Sequence, residues 1–164
     1  MQTLIFLNGN IPKCKIIKEH LKKASFIVAA DGGANHLRKI RVIPDLIIGD
    51  LDSVSKGSLR YFTKHNTLIK KVTYQHKTDF EKSLIYCLNN SKKSITVFGA
   101  VSLRADHTLN NYSVLKRYYK KLEIKLITDD FEIFFVKGNF ESAYRKGDIV
   151  SLLAMPKATG IRTT

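Results

Sequence analysis

Asp50 and Asp52 stand two residues apart in Ile47-Ile48-Gly49-Asp50-Leu51-Asp52-Ser53, directly after a short apolar run. In a turn following a strand, carboxylates at that spacing can face one ion, and Gly49 permits the unusual backbone angle such a turn uses. The competing reading is a polar turn held by Asx hydrogen bonds. Three more acids share this kind of setting. Asp31 ends an apolar run and leads into Gly32-Gly33, whose amides could meet a phosphate if a helix begins there; an ordinary tight turn explains the pair equally well. Asp79 follows Thr78 at a helix start, a place the helix dipole alone would favour. Asp106 follows Arg104 in the loop from Gly99 to His107, where a guanidinium could grip phosphate bidentately or simply sit beside an N-cap acid. From residue 31 to 106 the acids are Asp31, Asp45, Asp50, Asp52, Asp79, Glu81 and Asp106, and they fall where strands end or helices begin.

The elements that must position these groups follow from apolar spacing. Thr3 to Leu7, Phe26 to Ala30, Leu46 to Ile48, Leu68 to Val72, Ile95 to Phe98 and Ile124 to Ile127 read as short strands. Between them lie helical patterns: Ile16, Ile17, Leu21 and Ala24; Ala34 to Ile40; Ser55 to Lys64; a helix opened by a Thr78-x-x-Glu81 capping box; and a long one N-capped by Asp106. Alternation of this kind predicts an α/β fold, a mostly parallel sheet with helices on both faces. After Asp129-Asp130 the pattern changes. Phe131 to Val136, Phe140 to Tyr144 and Ile149 to Leu153 are strand-like runs with no helix between them, the expected start of a small β-sandwich. The expected division is a catalytic α/β domain over 1–127 and a partial β domain over 128–164.

Ligands of parallel α/β sheets bind outside the carboxyl ends of the strands. That rule gathers Asp31, Asp50, Asp52, Asp79 and Asp106 on one rim. Like charges 4 Å apart repel by about 4 kcal/mol at an effective dielectric near 20, so a cation is expected among them. Mg²⁺ takes carboxylates and substrate phosphates as ligands, which points to a metal–nucleotide site. No GxxxxGK[ST] loop is present.

Composition narrows the partners. The 164 residues carry 28 Lys+Arg against 14 Asp+Glu, a net charge of +14, with 44% hydrophobic content. That content excludes a disordered tail. No apolar run reaches the roughly 18–20 residues of a membrane span, and the start lacks the pattern of a secretion signal. Cys14 and Cys87 are far apart and form no CxxC, so a reducing cytoplasm is the expected location. The lysine clusters are scattered, without zinc-finger spacing, an RNP-like aromatic motif or a basic arm, so no specific nucleic acid is expected. The positive surplus can still draw in an anionic substrate such as a nucleotide.

Four segments in order, ADGGAN, PDLIIGDLDS, QHKTDFEKSL and GAVSLRADHTLNN, resemble the thiamin pyrophosphokinase family. The resemblance runs from about residue 4 to the end and is strongest over 29–112. It implies Mg²⁺-dependent transfer of pyrophosphate from ATP to the hydroxyl of thiamine, releasing AMP. It also implies a homodimer, with thiamine held between one subunit's catalytic domain and the other's β domain. By position, Asp50, Asp52 and Asp79 match the metal-handling catalytic carboxylates, with Arg104 beside them. Asp31, Gly32, Gly33, Gln75, Thr78 and Asp106 match ATP and phosphate contacts. Three departures stand out: Ser102-Leu103 replaces a Gly-Gly pair, His76 replaces a commonly acidic residue, and SLLAMPKATGIRTT opens the β domain without the segments that follow it in the family. Two other readings compete. Asp50-Leu51-Asp52-Ser53-Val54 fits the signature of haloacid-dehalogenase-like phosphatases, with Asp50 as nucleophile, although those carry it after the first strand. A basic nucleic-acid-binding module would need a cationic face with stacking aromatics, a pattern the sequence lacks.

Overall fold

Apolar runs of four to seven residues are too short to cover a core as helices, and in the computed structural model they pair as strands of one sheet. The structure describes residues 2–74, 76–102, 104–155 and 157–162. In chain order the strands are β1 (Gln2–Phe6), β2 (Ala24–Ala30), β3 (Leu46–Gly49), β4 (Leu68–Lys71), β5 (Ser94–Phe98), β6 (Glu123–Ile127) and β7 (Glu132–Phe134). They lie in the order β4-β3-β2-β1-β5-β6-β7. All pairs are parallel except β6 with β7, which is antiparallel.

The helices are α1 (Cys14–Leu21), α2 (Gly33–Lys39), α3 (Lys56–Lys64), α4 (Asp79–Asn89) and α5 (Ala105–Tyr118). From β1 to β4 the chain steps outward in one direction; after β4 it crosses β1 and steps the other way. Because crossovers are right-handed, this reversal sends α1, α2 and α3 to one face and α4 and α5 to the other. Side chains alternate along each strand accordingly. Leu4, Phe6, Ala29, Ile47 and Phe98 meet Ile17, Ala34, Leu37 and Phe62 from the first three helices. Ile5, Val28, Leu46, Ile48, Val97 and Leu126 meet Phe80, Leu84, Cys87, Val114 and Leu115 from the last two. The α/β expectation is met, with helices on both faces.

Three local expectations need correction. Ala24 opens β2 rather than closing α1, because it pairs with Gln2. Arg104, not Asp106, holds the N-cap position of α5, and no side chain caps that helix. The run Phe131 to Val136 is a strand only over Glu132–Phe134 and joins the main sheet. Phe140 to Tyr144 and Ile149 to Leu153 form no strand, and no β-sandwich is present among the described residues. A strand needs a partner for its backbone and a layer for its apolar face. These runs have neither: Ile149 is 94% and Leu153 83% exposed.

Candidate active site

Register explains how two distant aspartates meet. Ala30 of β2 lies beside Ile48 of β3, and the Asp31 amide donates to the Ile48 carbonyl at 2.9 Å. Each strand is followed at once by an acid, Asp31 and Asp50, so both emerge at the same carboxyl edge. Asp79, the first residue of α4, completes the group. One carboxylate oxygen from each of Asp31, Asp50 and Asp79 lies within 4.8 Å of the others.

Backbone geometry makes the convergence possible. Asp31 has φ 45° and Leu51 φ 71°, left-handed values that Asp tolerates better than a branched residue does. Gly49 has φ 155°, and a Cβ there would lie 2.9 Å from the Asp31 Cβ and 3.1 Å from Asp79 Oδ1. The missing side chain is therefore the space in which the two carboxylates approach. Gly32 and Gly33 serve packing: a side chain on either would strike Asn8 or the Phe6 carbonyl.

The three carboxylates differ in surroundings. Asp31 is 5% exposed and its Oδ1 has no hydrogen-bond partner among the described residues. Burial pushes its carboxyl above the ordinary range; the nearby charges of Asp79 and Asp52 add to the rise, while Ser53 and the Gly32 amide oppose it. Asp79 accepts a 2.8 Å ion pair from Lys82 Nζ, whose side chain is 3% exposed. Asp50 Oδ1 accepts from the Asp52 amide at 3.3 Å, an Asx turn. Asp52 itself is exposed, accepts from the Ser53 hydroxyl at 2.9 Å and is not one of the three converging carboxylates.

The remaining residues singled out by sequence lie around this triad. Thr78 caps α4, its hydroxyl accepting from the Glu81 amide at 3.3 Å. The reciprocal half of the capping box is absent: the Glu81 carboxylate instead takes bonds from Lys77, Arg117 and Tyr118 at 2.9–3.1 Å. Arg104 grips Asp106 with two nitrogens, at 3.2 and 2.6 Å, and both side chains are exposed. Gln75 lies outside the described residues.

Two contributors escaped sequence reasoning. Lys82 reads as one more lysine in a basic chain, yet it is buried against the triad. Asn35 straps α2 to the turn after β3, donating to the Ser53 carbonyl at 2.8 Å and accepting from the Ser55 amide at 3.1 Å. The Asn in ADGGAN was the available signal. A groove between α2 and α3, lined by Asn35, Arg38, Lys39, Ser55 and Ser58, contains none of the three aspartates.

An all-oxygen donor set with an unpartnered buried oxygen suits a hard divalent cation, so this Asp triad can bind a metal. The family model described as thiamin pyrophosphokinase, catalytic domain, matches residues 17–128, a span containing all four motifs and the triad. The chain belongs to the thiamin pyrophosphokinase family.

Its relatives within the family agree. It is 30% identical over 150 residues to thiamine pyrophosphokinase 2 of Arabidopsis thaliana, covering 77% of this chain and 55% of that protein. Against thiamine pyrophosphokinase of Saccharomyces cerevisiae it is 40% identical over 101 residues, 53% of this chain and 29% of that one. The solved thiamin pyrophosphokinase from Candida albicans superposes with a TM-score of 0.70 at 29% identity, over 81% of this chain and 60% of the other. The chain thus spans little more than half the length of the Arabidopsis relative. The phosphatase reading loses its footing, since the Asp50–Ser53 turn follows the third strand. Among the described residues no helix is long and apolar enough to cross a membrane.

Proposed function

We propose that this chain carries the nucleotide-activating half of a thiamine pyrophosphokinase, a transferase moving pyrophosphate from ATP to the hydroxyl of thiamine and releasing AMP. The observation that carries the reading is the convergence of Asp31, Asp50 and Asp79 inside the segment matched by the family model. Mg²⁺ is the fitting ion, and when bound it supplies neutralisation of charge on the β- and γ-phosphates.

The chain's own groups would then do the following. Asp31, Asp50 and Asp79 hold the ion's position, with Asp52 one residue away in the same turn. Arg104 exchanges its exposed grip on Asp106 for a phosphate, because a guanidinium pairs with phosphate in the same bidentate fashion. Thr78 has used its hydroxyl oxygen as an acceptor and keeps its proton to donate. As the thiamine oxygen attacks the β-phosphorus, its bond to that phosphorus forms and the bond to AMP breaks. The hydroxyl proton passes to a carboxylate of the cluster. Gln75, Gly32, Gly33 and Asp106 complete the nucleotide contacts in this reading.

Residues 128–164 belong, in the same reading, to the family's C-terminal thiamine-binding β domain, and a homodimer in the cytoplasm completes the site. Free Cys14 and Cys87 are compatible with a reducing compartment. Incubating the chain with ATP and Mg²⁺, with and without thiamine, tests the proposal. AMP formed only with thiamine is the expected result; ADP or inorganic phosphate, independent of thiamine, would refute it.

A further inference from the structure

Lysines seldom bury their ammonium, because the flexible stem lets the charge reach water. Lys82 does the opposite. It stands on α4 one turn after Asp79, its side chain is 3% exposed, and its Nζ lies 2.8 Å from Asp79 Oδ1. Asp79 is the one acceptor it meets among the described residues. The partner carboxylate is 28% exposed, so the cation is buried more deeply than the anion it serves. An ion pair made for helix stability alone would leave the lysine on the solvated face.

We propose that Lys82 is the resident counter-ion of the triad, a positioning residue that competes with bare divalent metal for the same carboxylates. The proposal rests on the reading of the triad as a metal site. With all three aspartates ionised, one ammonium leaves two negative charges, the charge of one divalent ion. The pair with Lys82 occupies one oxygen of Asp79 and leaves the other for a ligand. Free metal therefore meets a site already partly neutralised and binds it weakly. A metal arriving with a polyphosphate brings anionic groups that offset the lysine's repulsion, so the site favours the metal–nucleotide complex over the metal alone.

Mn²⁺, which takes the same oxygen donors and is visible by electron paramagnetic resonance, provides the test. Binding of Mn²⁺ alone and of Mn²⁺ with ATP is measured on the wild-type chain, Lys82→Met and Lys82→Arg. The methionine keeps the volume and removes the charge. It is expected to tighten binding of Mn²⁺ alone roughly tenfold, the scale of a charge interaction at near-aqueous screening, and to shrink the advantage of the ATP complex. Lys82→Arg is expected to keep wild-type behaviour. Melting temperatures in EDTA and in Mn²⁺ guard against misfolding: the methionine variant should be destabilised in EDTA and restored by Mn²⁺. A lost packing contact would instead lower both temperatures equally. Equal or weaker Mn²⁺ binding by Lys82→Met, or no Mn²⁺ binding by the wild type, overturns the proposal. Thiamine-dependent AMP release is followed in parallel. Its absence with the affinity order intact would sink the proposed reaction and leave the counter-ion standing.

Discussion

The amino ends of α4 and α5 open on the same carboxyl edge of the sheet, and they are secured in opposite ways. The start of α4 has a side-chain cap from Thr78, a buried ion pair between Asp79 and Lys82, and Glu81 turned inward among three donors. The start of α5 has no side-chain cap, and its charged residues Arg104 and Asp106 hold each other in solvent. Burial fixes the first arrangement before any ligand arrives. Water competes for the second, so it can open when a better partner appears. A site of this kind divides its labour: one helix supplies a rigid carboxylate platform, the other a guanidinium that is free to change partners.

The sharpest way to break that contrast is to remove the network under α4. Glu81→Gln should cost about 2–3 kcal/mol in denaturant unfolding, toward the low end for a broken buried pair because Arg117 and Lys77 keep access to water. Its pH dependence has a definite sign. Burial alone would raise the Glu81 carboxyl, but bonds from Lys77, Tyr118 and Arg117 outweigh it and hold it below the ordinary 4.5. The stability it contributes is therefore whole above 4.5 and is lost as pH falls through the lower folded value. The glutamine variant should show a shallower acid transition; an unchanged one would contradict the network.

Gly49→Ala should come next. Its Cβ would press on Asp31 and Asp79 in a backbone conformation that side chains rarely adopt, at a cost of about 2 kcal/mol, and Mn²⁺ binding should disappear. Asp31→Asn should act in the reverse sense. Its carboxyl is raised by burial, so ionisation opposes folding above that raised value. Asparagine tolerates the same φ, and the variant should be more stable by about 1 kcal/mol in EDTA near neutral pH. That gain should vanish as pH falls through the raised value, and Mg²⁺, which stabilises the wild type by mass action, should reverse it. Smallest is the structural effect of Asp106→Ala: the melting temperature should stay where it is while calorimetry shows altered ATP binding. A clear drop in stability would mean that the α5 end is as firmly built as the α4 end.

Strands were legible because a sheet buried on both faces writes itself as uninterrupted apolar runs, as in Leu4–Phe6 and Leu46–Ile48. The rim was legible too, since acids placed directly after such runs must share an edge when the strands are parallel. Which acids converge was not. That choice depends on the Ala30–Ile48 register and on the turn through Leu51, which faces Asp52 toward Ser53. Lys82 was hidden for a different reason: a lysine near a helix start looks solvated in any basic chain, and burial is a property of the neighbouring element. The run Ile149 to Leu153 misled because alternation reports apolarity and says nothing of a partner strand.

The reversal of β7 has a consequence for where the chain goes next. Running antiparallel to β6, it carries the backbone from the edge bearing the aspartates toward the opposite pole, so that Phe134 sits level with Lys125. Anything downstream sets off from the far side of the sheet. To reach its own subunit's carboxylates it must climb back about 16 Å, the height of a five-residue strand. The corresponding segment of a neighbouring copy faces no such detour, so the path of one short strand already tilts the architecture toward completing each site in trans.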